Sequence, residues 1–183
     1  MKTRAVVAIL VVLVSGCSVR GQDGPERLPS DVLPSDLRPS AVASSPAPPT
    51  TTVPVYLVED GRLVRQERPA RRRTVGEALT ALLTDDGADG TRRSAVPPGT
   101  VVERLSVRGP LLSVELSAQF AGVRGNDQLL AVAQIVWTAT EFPPVRQVDV
   151  FVGGRRLDLP VEQGEFSSGP ADRDDYQEVG PAP

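Results

Sequence analysis

The 183-residue sequence contains no histidine, one lysine and one cysteine, and the last two, Lys2 and Cys17, both lie near the N-terminus. Beyond position 17 there is therefore no histidine, lysine or thiol. This excludes Ser-His-Asp and Cys-His catalysis, Schiff-base lysines and P-loop lysines. It also argues against a zinc site, and a single cysteine cannot form an internal disulfide. Carboxylates, arginines, hydroxyls and amides remain.

The N-terminal residues have the pattern of an export signal. A short basic region is followed by ten unbroken apolar residues, Ala5–Val14, which are too few to span a bilayer. Ser15-Gly16-Cys17 then resembles a bacterial lipobox, although Val14 stands where leucine is usual. The resemblance implies a signal peptide over 1–16, a diacylglycerol on Cys17, and an anchor in the cell membrane on its extracytoplasmic side. An ordinary secretory signal or an uncleaved anchor is the alternative.

Composition divides the rest of the chain into three parts. Residues 17–53 contain the lipidated cysteine and a linker rich in proline, serine and threonine. Residues 54–160 carry regular apolar patterns and form the predicted domain. Residues 161–183 hold six acids and one arginine, which predicts an acidic, disordered tail. The acidic balance of the processed chain argues against nucleic acid as a partner.

Apolar periodicity predicts the order β-β-α-β-β-α-β within the domain. The first two strands flank Asp60-Gly61, and Thr74 with Glu77 forms a capping box that opens the first helix. Val101, Leu105 and Val107 alternate on the third strand. The remaining strands alternate at Leu112, Val114 and Leu116, and at Val148, Val150 and Val152. We therefore expect a two-layer α/β (α+β) fold, with two helices on one face of a small, mostly antiparallel sheet.

The second helix is predicted from Asn126, as its N-cap, to about Phe142, where Pro143-Pro144 ends it. Apolar residues cover most of its circumference, so it is expected to be central and buried. A narrow polar stripe remains, formed by Gln128, Gln134, Thr138 and Glu141.

Four segments in this order resemble the GerMN domain, a sporulation and germination domain that recurs in actinobacterial envelope lipoproteins, including those related to LpqB. They are AVPPGT, LLSVELSAQF, AVAQIVWTAT and VRQVDVFVGG, beginning at Ala95, Leu111, Ala131 and Val145. The resemblance implies a ring-building-motif-like module with no established enzymatic activity, for which we expect no cofactor and no metal.

Several side chains invite a functional interpretation. Gln134 and Thr138 lie one helical turn apart and either contact a ligand or have a structural role, bonding to neighbouring backbone groups or facing water. Glu115, Glu141 and Asp149 are the acids that a glycan hydrolase would need. Arg71–Arg73 either bind anionic groups or form a solvated run, and Asp85–Gly90 resembles a calcium loop that lacks its bidentate glutamate.

These observations favour a lipid-anchored, non-catalytic interaction or scaffold module of the bacterial envelope. Its expected partners are the membrane, through the anchor, and an envelope protein, with weak self-association as a further possibility. A carboxylate-based wall-glycan hydrolase and a small-ligand carrier are the alternatives, and the shortage of aromatic residues opposes the carrier.

Overall fold

The computed structural model describes residues 51–87, 90–161 and 165–182. The predicted signal peptide, Cys17 and the linker up to residue 50 lie outside the described residues. The predicted order β-β-α-β-β-α-β is confirmed, and three two-residue strands follow it. The elements are β1 (Thr51–Glu59), β2 (Arg62–Ala70), α1 (Val75–Leu83), β3 (Val102–Arg108), β4 (Leu111–Leu116), α2 (Gly125–Ala139), β5 (Gln147–Val152), β6 (Arg155–Arg156), β7 (Leu159–Pro160) and β8 (Phe166–Ser167), with short 3-10 helices at Ala118–Gly122 and Arg173–Tyr176.

Strands β1 and β2 form an antiparallel hairpin that turns where the sequence predicts. Glu59 pairs with Arg62, which leaves Asp60 and Gly61 as the two turn residues. Both have positive φ, 50° and 79°, as a two-residue hairpin turn of this kind requires. β1 is buried without interruption from Val53 to Val58, so both of its faces are covered.

The other main strands form a second sheet in the order β3-β4-β5-β6, in which only β4 and β5 run parallel. The prediction of a single sheet is therefore wrong, because the β1–β2 hairpin stands apart as a sheet of its own. The expected inward alternation on β3 also fails, since Val101 and Val107 are 53% and 41% exposed. β3 is the edge strand, and a register shift between Val102 and Arg104 interrupts its alternation.

Helix α1 begins as predicted, with the Thr74 hydroxyl accepting a hydrogen bond from the Glu77 backbone N–H at 3.3 Å. The Glu77 carboxylate accepts from the Arg71 backbone N–H, at 3.4 Å, rather than from Thr74 as a full capping box would require. The helix buries the predicted apolar face, formed by Ala78, Leu79, Leu82 and Leu83.

Helix α2 differs from its predicted bounds at both ends. Its N-cap is Arg124, two residues before the predicted Asn126. Gly125, with φ of 61°, is the first helical residue, and Asn126 lies exposed in the first turn. It ends at Ala139, before Phe142. The helix is central as expected, with contacts to β1, α1 and β5, and ten of its fifteen residues are buried.

The C-terminal residues are part of the fold, and the prediction of a disordered tail is wrong for residues 165–182. We call this segment the C-terminal strap. Ala171 exchanges two backbone hydrogen bonds with Val148 of β5, at 2.8 and 2.9 Å, and Val179 accepts one from Leu63 at 2.8 Å. Ala171 and Tyr176 are completely buried. The sequence did not predict this packing because its acids suggested a solvated tail. Two of them, Asp172 and Asp175, instead form a capping box for the last 3-10 helix.

Neither α1 nor α2, the helices of the described region, combines the length and the apolar character needed to cross a bilayer.

Candidate functional site

Two residues of the predicted polar stripe of α2, Gln134 and Thr138, face β1 and not water. Gln134 has no exposed surface; its Oε1 accepts from the Ala95 backbone N–H and its Nε2 donates to the Tyr56 carbonyl, both at 2.7 Å. Thr138, equally buried, accepts from the Tyr56 backbone N–H at 3.1 Å through Oγ1. Of the two interpretations of these residues, bonding to neighbouring backbone groups is the one that the structure shows. Neither side chain is open to a ligand from solvent.

These bonds explain why the hairpin does not join the larger sheet. The free edge of β1 needs partners for its backbone groups, since a buried amide without one is costly. At Tyr56 the partners are side chains of α2, and at Val58 they are the backbone groups of Arg93, at 2.9 and 3.0 Å. Side chains of α2 and the backbone of Arg93 thus supply hydrogen bonds that a neighbouring strand would otherwise make.

A cluster of polar and aromatic groups lies beside this edge, where α2 meets the C-terminal strap. The Trp137 and Tyr56 rings pack with centroids 5.5 Å apart. The Arg173 guanidinium lies 4.4 Å from the Trp137 ring centroid, within range of a cation–π interaction. It donates to the Thr140 hydroxyl at 2.7 Å and to the Glu141 carboxylate at 2.8 Å.

Glu141 is the electrostatic centre of this cluster. It also accepts a hydrogen bond from the Tyr56 hydroxyl at 2.9 Å. Burial by itself raises the pKa of Glu141, but hydrogen bonds from Arg173 and Tyr56 outweigh burial and hold that pKa below its ordinary value. Burial, reinforced by the bond to Glu141, raises the pKa of Tyr56 to about 12. The carboxylate is therefore kept ionised and the phenol neutral, which suits a structural clamp between strap and helix and not a proton-transfer pair.

This clamp predicts an acid dependence of stability. A carboxyl whose pKa is lower in the folded state stabilises the fold above its unfolded pKa, and the contribution is lost as the pH falls through the folded value. Glu141→Gln should therefore cost on the order of 1–3 kcal/mol at neutral pH, and the deficit should shrink below about pH 4. Urea denaturation across this range measures it. Glu103→Gln, at an exposed position of β3, is the control, and a deficit of Glu141→Gln that does not change with pH would contradict the prediction.

The three acids proposed for hydrolysis are each paired with arginine. Glu115 accepts from Arg104 at 2.6 Å and from the Gly154 backbone N–H at 2.7 Å. Asp149 is bonded to Arg156 and is only 5% exposed. Both lie on the outward face of the adjacent strands β4 and β5, whereas Glu141 lies beyond the end of α2. The structure thus brings two of the three to one face but leaves neither of them free for acid–base chemistry.

The remaining candidates are in loops. Asp85 accepts from the Arg68 guanidinium of β2 at 2.6 Å and from the Gly87 backbone N–H at 3.0 Å, so one of its oxygens bonds to β2 and the other to the loop itself. Asp89 lies outside the described residues. Among those described, no three Cys, Asp or Glu side chains come together as a metal site. Arg71–Arg73 are exposed between β2 and α1.

Comparison with known families decides the relationship. Residues 45–158 match the model of the family Germane, described as sporulation and spore germination. The match covers more than half of the chain. The chain belongs to this family. The Germane domain extends from just before β1 to just before β7, and the C-terminal strap lies beyond the matched residues.

Solved structures show the same fold. The first GerMN domain of the sporulation protein GerM from Bacillus subtilis matches with a TM-score of 0.58 and 22% identity, over 69% of this chain and 100% of that one. The tandem GerMN domains of the same protein match with a TM-score of 0.59 and 21% identity, over 69% of this chain and 47% of that one. The chain thus spans about half the length of the tandem structure. The predicted GerMN resemblance and the α+β fold are confirmed. No curated protein matches the chain.

The sequence analysis did not predict that the C-terminal strap contributes Arg173 to the cluster around Trp137 and Glu141. Arg173 is the only cation among six acids in residues 161–183, and an isolated arginine in an acidic segment was the available signal. A second signal was the presence of two apolar residues, Ala171 and Tyr176, in a segment whose acids suggested solvation.

Proposed function

We propose that this chain is a lipid-anchored, non-catalytic interaction module on the extracytoplasmic side of the bacterial cell membrane. Membership of the Germane family supports a role among sporulation or germination-related envelope proteins. The lipobox-like residues that end at Cys17 support the anchor. Two acyl groups on one residue suffice for stable attachment, whereas a single chain binds marginally.

One observation carries the non-catalytic part of the proposal. Each acid that the sequence offers for hydrolysis, Glu115, Glu141 and Asp149, is held in an ion pair with arginine. A general acid or base must lie within hydrogen-bond reach of its substrate, and a carboxylate held by a guanidinium is already committed within the protein. Gln134 and Thr138 of α2 likewise form hydrogen bonds with backbone groups of β1. What the domain offers a partner is its surface.

The anchor is tested by changing the one cysteine. In cells fed a clickable fatty acid, the wild-type protein should be labelled and recovered with membranes. Cys17→Ala should lose the label, accumulate as the unprocessed precursor and fail to mature. Ser18→Ala, one position further on, is the matched control and should behave as wild type. Normal processing and membrane retention of Cys17→Ala would overturn the anchor.

The same membranes test the interaction module. Crosslinking of intact cells followed by capture of the wild-type protein should enrich a defined envelope protein, and the purified protein should not turn over peptidoglycan. Turnover that disappears in Glu115→Gln or Asp149→Asn would overturn the non-catalytic proposal in favour of a hydrolase.

A further inference from the structure

Three consecutive arginines, Arg71, Arg72 and Arg73, lie exposed in the connection between β2 and α1, and we call them the arginine edge. Arg72 makes no side-chain hydrogen bond or ion pair within the described part of the chain. Arg73 donates to the Thr52 carbonyl at 3.3 Å and lies 6.0 Å from the Phe142 ring centroid. Such weak ties leave its charge available.

Arg71 has a partner within the protein, whereas Arg72 and Arg73 keep most of their positive charge unpaired. Glu77 accepts a hydrogen bond from the backbone N–H of Arg71, at 3.4 Å. Asp85 is committed to Arg68 and Glu67 to Arg65, at 2.6 and 2.7 Å. The connection therefore carries a surplus of positive charge on a chain whose overall balance is acidic.

The arginine edge lies where the polypeptide enters the domain. Thr51, the first described residue, pairs with Ala70, and Ala70 directly precedes Arg71. Arg73 contacts the backbone of Thr52 from the other side of the connection. Residues 17–50, which lead from the predicted acylation site, therefore join the domain next to its most concentrated positive charge. This linker tethers the domain to the bilayer through the proposed anchor. Because it joins the domain beside these arginines, they can contact the bilayer surface.

We propose that Arg72 and Arg73 bind the phosphodiester head groups of anionic lipids and dock the tethered domain on the bilayer surface. This inference rests on the proposed lipid anchor. The linker reaches at most about 100 Å if extended as polyproline. Within that reach the tether makes docking an intramolecular event at millimolar effective concentration, so weak head-group contacts are enough. Each arginine near an anionic surface contributes about a fivefold preference, and two contribute on the order of thirtyfold.

The head-group contact is measured without the anchor. The chain from residue 17 to 183 carrying Cys17→Ser, which cannot be acylated, is sedimented with vesicles of phosphatidylcholine or of phosphatidylcholine mixed with phosphatidylglycerol. Binding should require phosphatidylglycerol and weaken as salt is added. Arg72→Gln/Arg73→Gln should lower the partition coefficient by on the order of thirtyfold, with an unchanged melting temperature.

The control removes the same charge elsewhere. Arg108→Gln/Arg155→Gln changes two exposed arginines on the four-stranded sheet and should bind vesicles like the parent chain. Equal losses in both double variants, or binding that ignores phosphatidylglycerol, would overturn the proposal. So would binding to a soluble polyphosphate polymer without binding to vesicles. Because no acyl group is present, these outcomes are independent of the fractionation of Cys17→Ala, which tests the anchor itself.

Discussion

Replacing Gln134 with methionine should lower the free energy of unfolding by about 2–6 kcal/mol. Methionine keeps the length and roughly the volume of the side chain but removes both hydrogen bonds. The Tyr56 carbonyl and the Ala95 N–H then stay buried without partners, and each such group costs about 1–3 kcal/mol. A domain of this size has only about 5–15 kcal/mol to lose, so the loss should be plain in urea denaturation.

The matched change is Gln119→Met, at an exposed position of the 3-10 helix after β4, which should alter stability by less than about 0.5 kcal/mol. Thr138→Val should fall between the two, because it removes only the acceptor for the Tyr56 N–H. A loss below about 1 kcal/mol in Gln134→Met would mean that the free edge of β1 does not depend on α2 for its hydrogen bonds.

Local signals predicted the elements of this fold well. The Asp60-Gly61 turn was readable because a two-residue hairpin needs positive φ at both positions. The start of α1 was readable because the Thr74 hydroxyl caps a backbone N–H three residues away. Each of these depends on neighbours in the sequence, and the Germane resemblance followed from their order.

The errors concern partners that are distant in the sequence. Periodicity placed Gln134 and Thr138 on a polar stripe, and a polar stripe on an amphipathic helix ordinarily faces water. Their partner Tyr56 is about 80 residues away, at an edge that no local rule exposes. Because these side chains bond to the free edge of β1, the hairpin stays apart from the larger sheet, and the single-sheet prediction failed.

The candidate site was less predictable than the fold because charge was taken as a sign of solvation. Glu115, Asp149 and Glu141 look like free acids in the sequence, yet each meets an arginine from another element. An arginine partner commits the carboxylate of a candidate catalytic acid to a bond within the protein. The same reasoning misjudged the strap, whose acids cap a helical turn that buries Tyr176.

Ending the chain at Pro160 should destabilise the domain severely, although the family match ends at residue 158. Truncation removes the completely buried side chains of Ala171 and Tyr176 and the arginine that stacks on Trp137. It also unpairs backbone groups of Val148 and Leu63. The loss of a buried aromatic side chain alone costs about 3–5 kcal/mol, a large part of the stability of a small domain. Compared with a chain of residues 46–183, the truncated form should melt at a much lower temperature or without a cooperative transition.

Two point variants test the packing of the strap against the domain while leaving the strap in the chain. Tyr176→Ala should cost about 3–5 kcal/mol through the cavity that it leaves. Gly180→Ala should also destabilise, because the added Cβ would lie 2.8 Å from Trp137 Cζ2 and 3.2 Å from the carbonyl oxygens of Tyr176 and Gln177. Gly169→Ala is its control within the strap, since the nearest atom there, Ser167 Oγ, is at an ordinary 3.5 Å. If Gly180→Ala and Gly169→Ala melt together with the parent chain, the strap does not press on Trp137 in solution, and the Arg173 clamp on Glu141 would have to act without it.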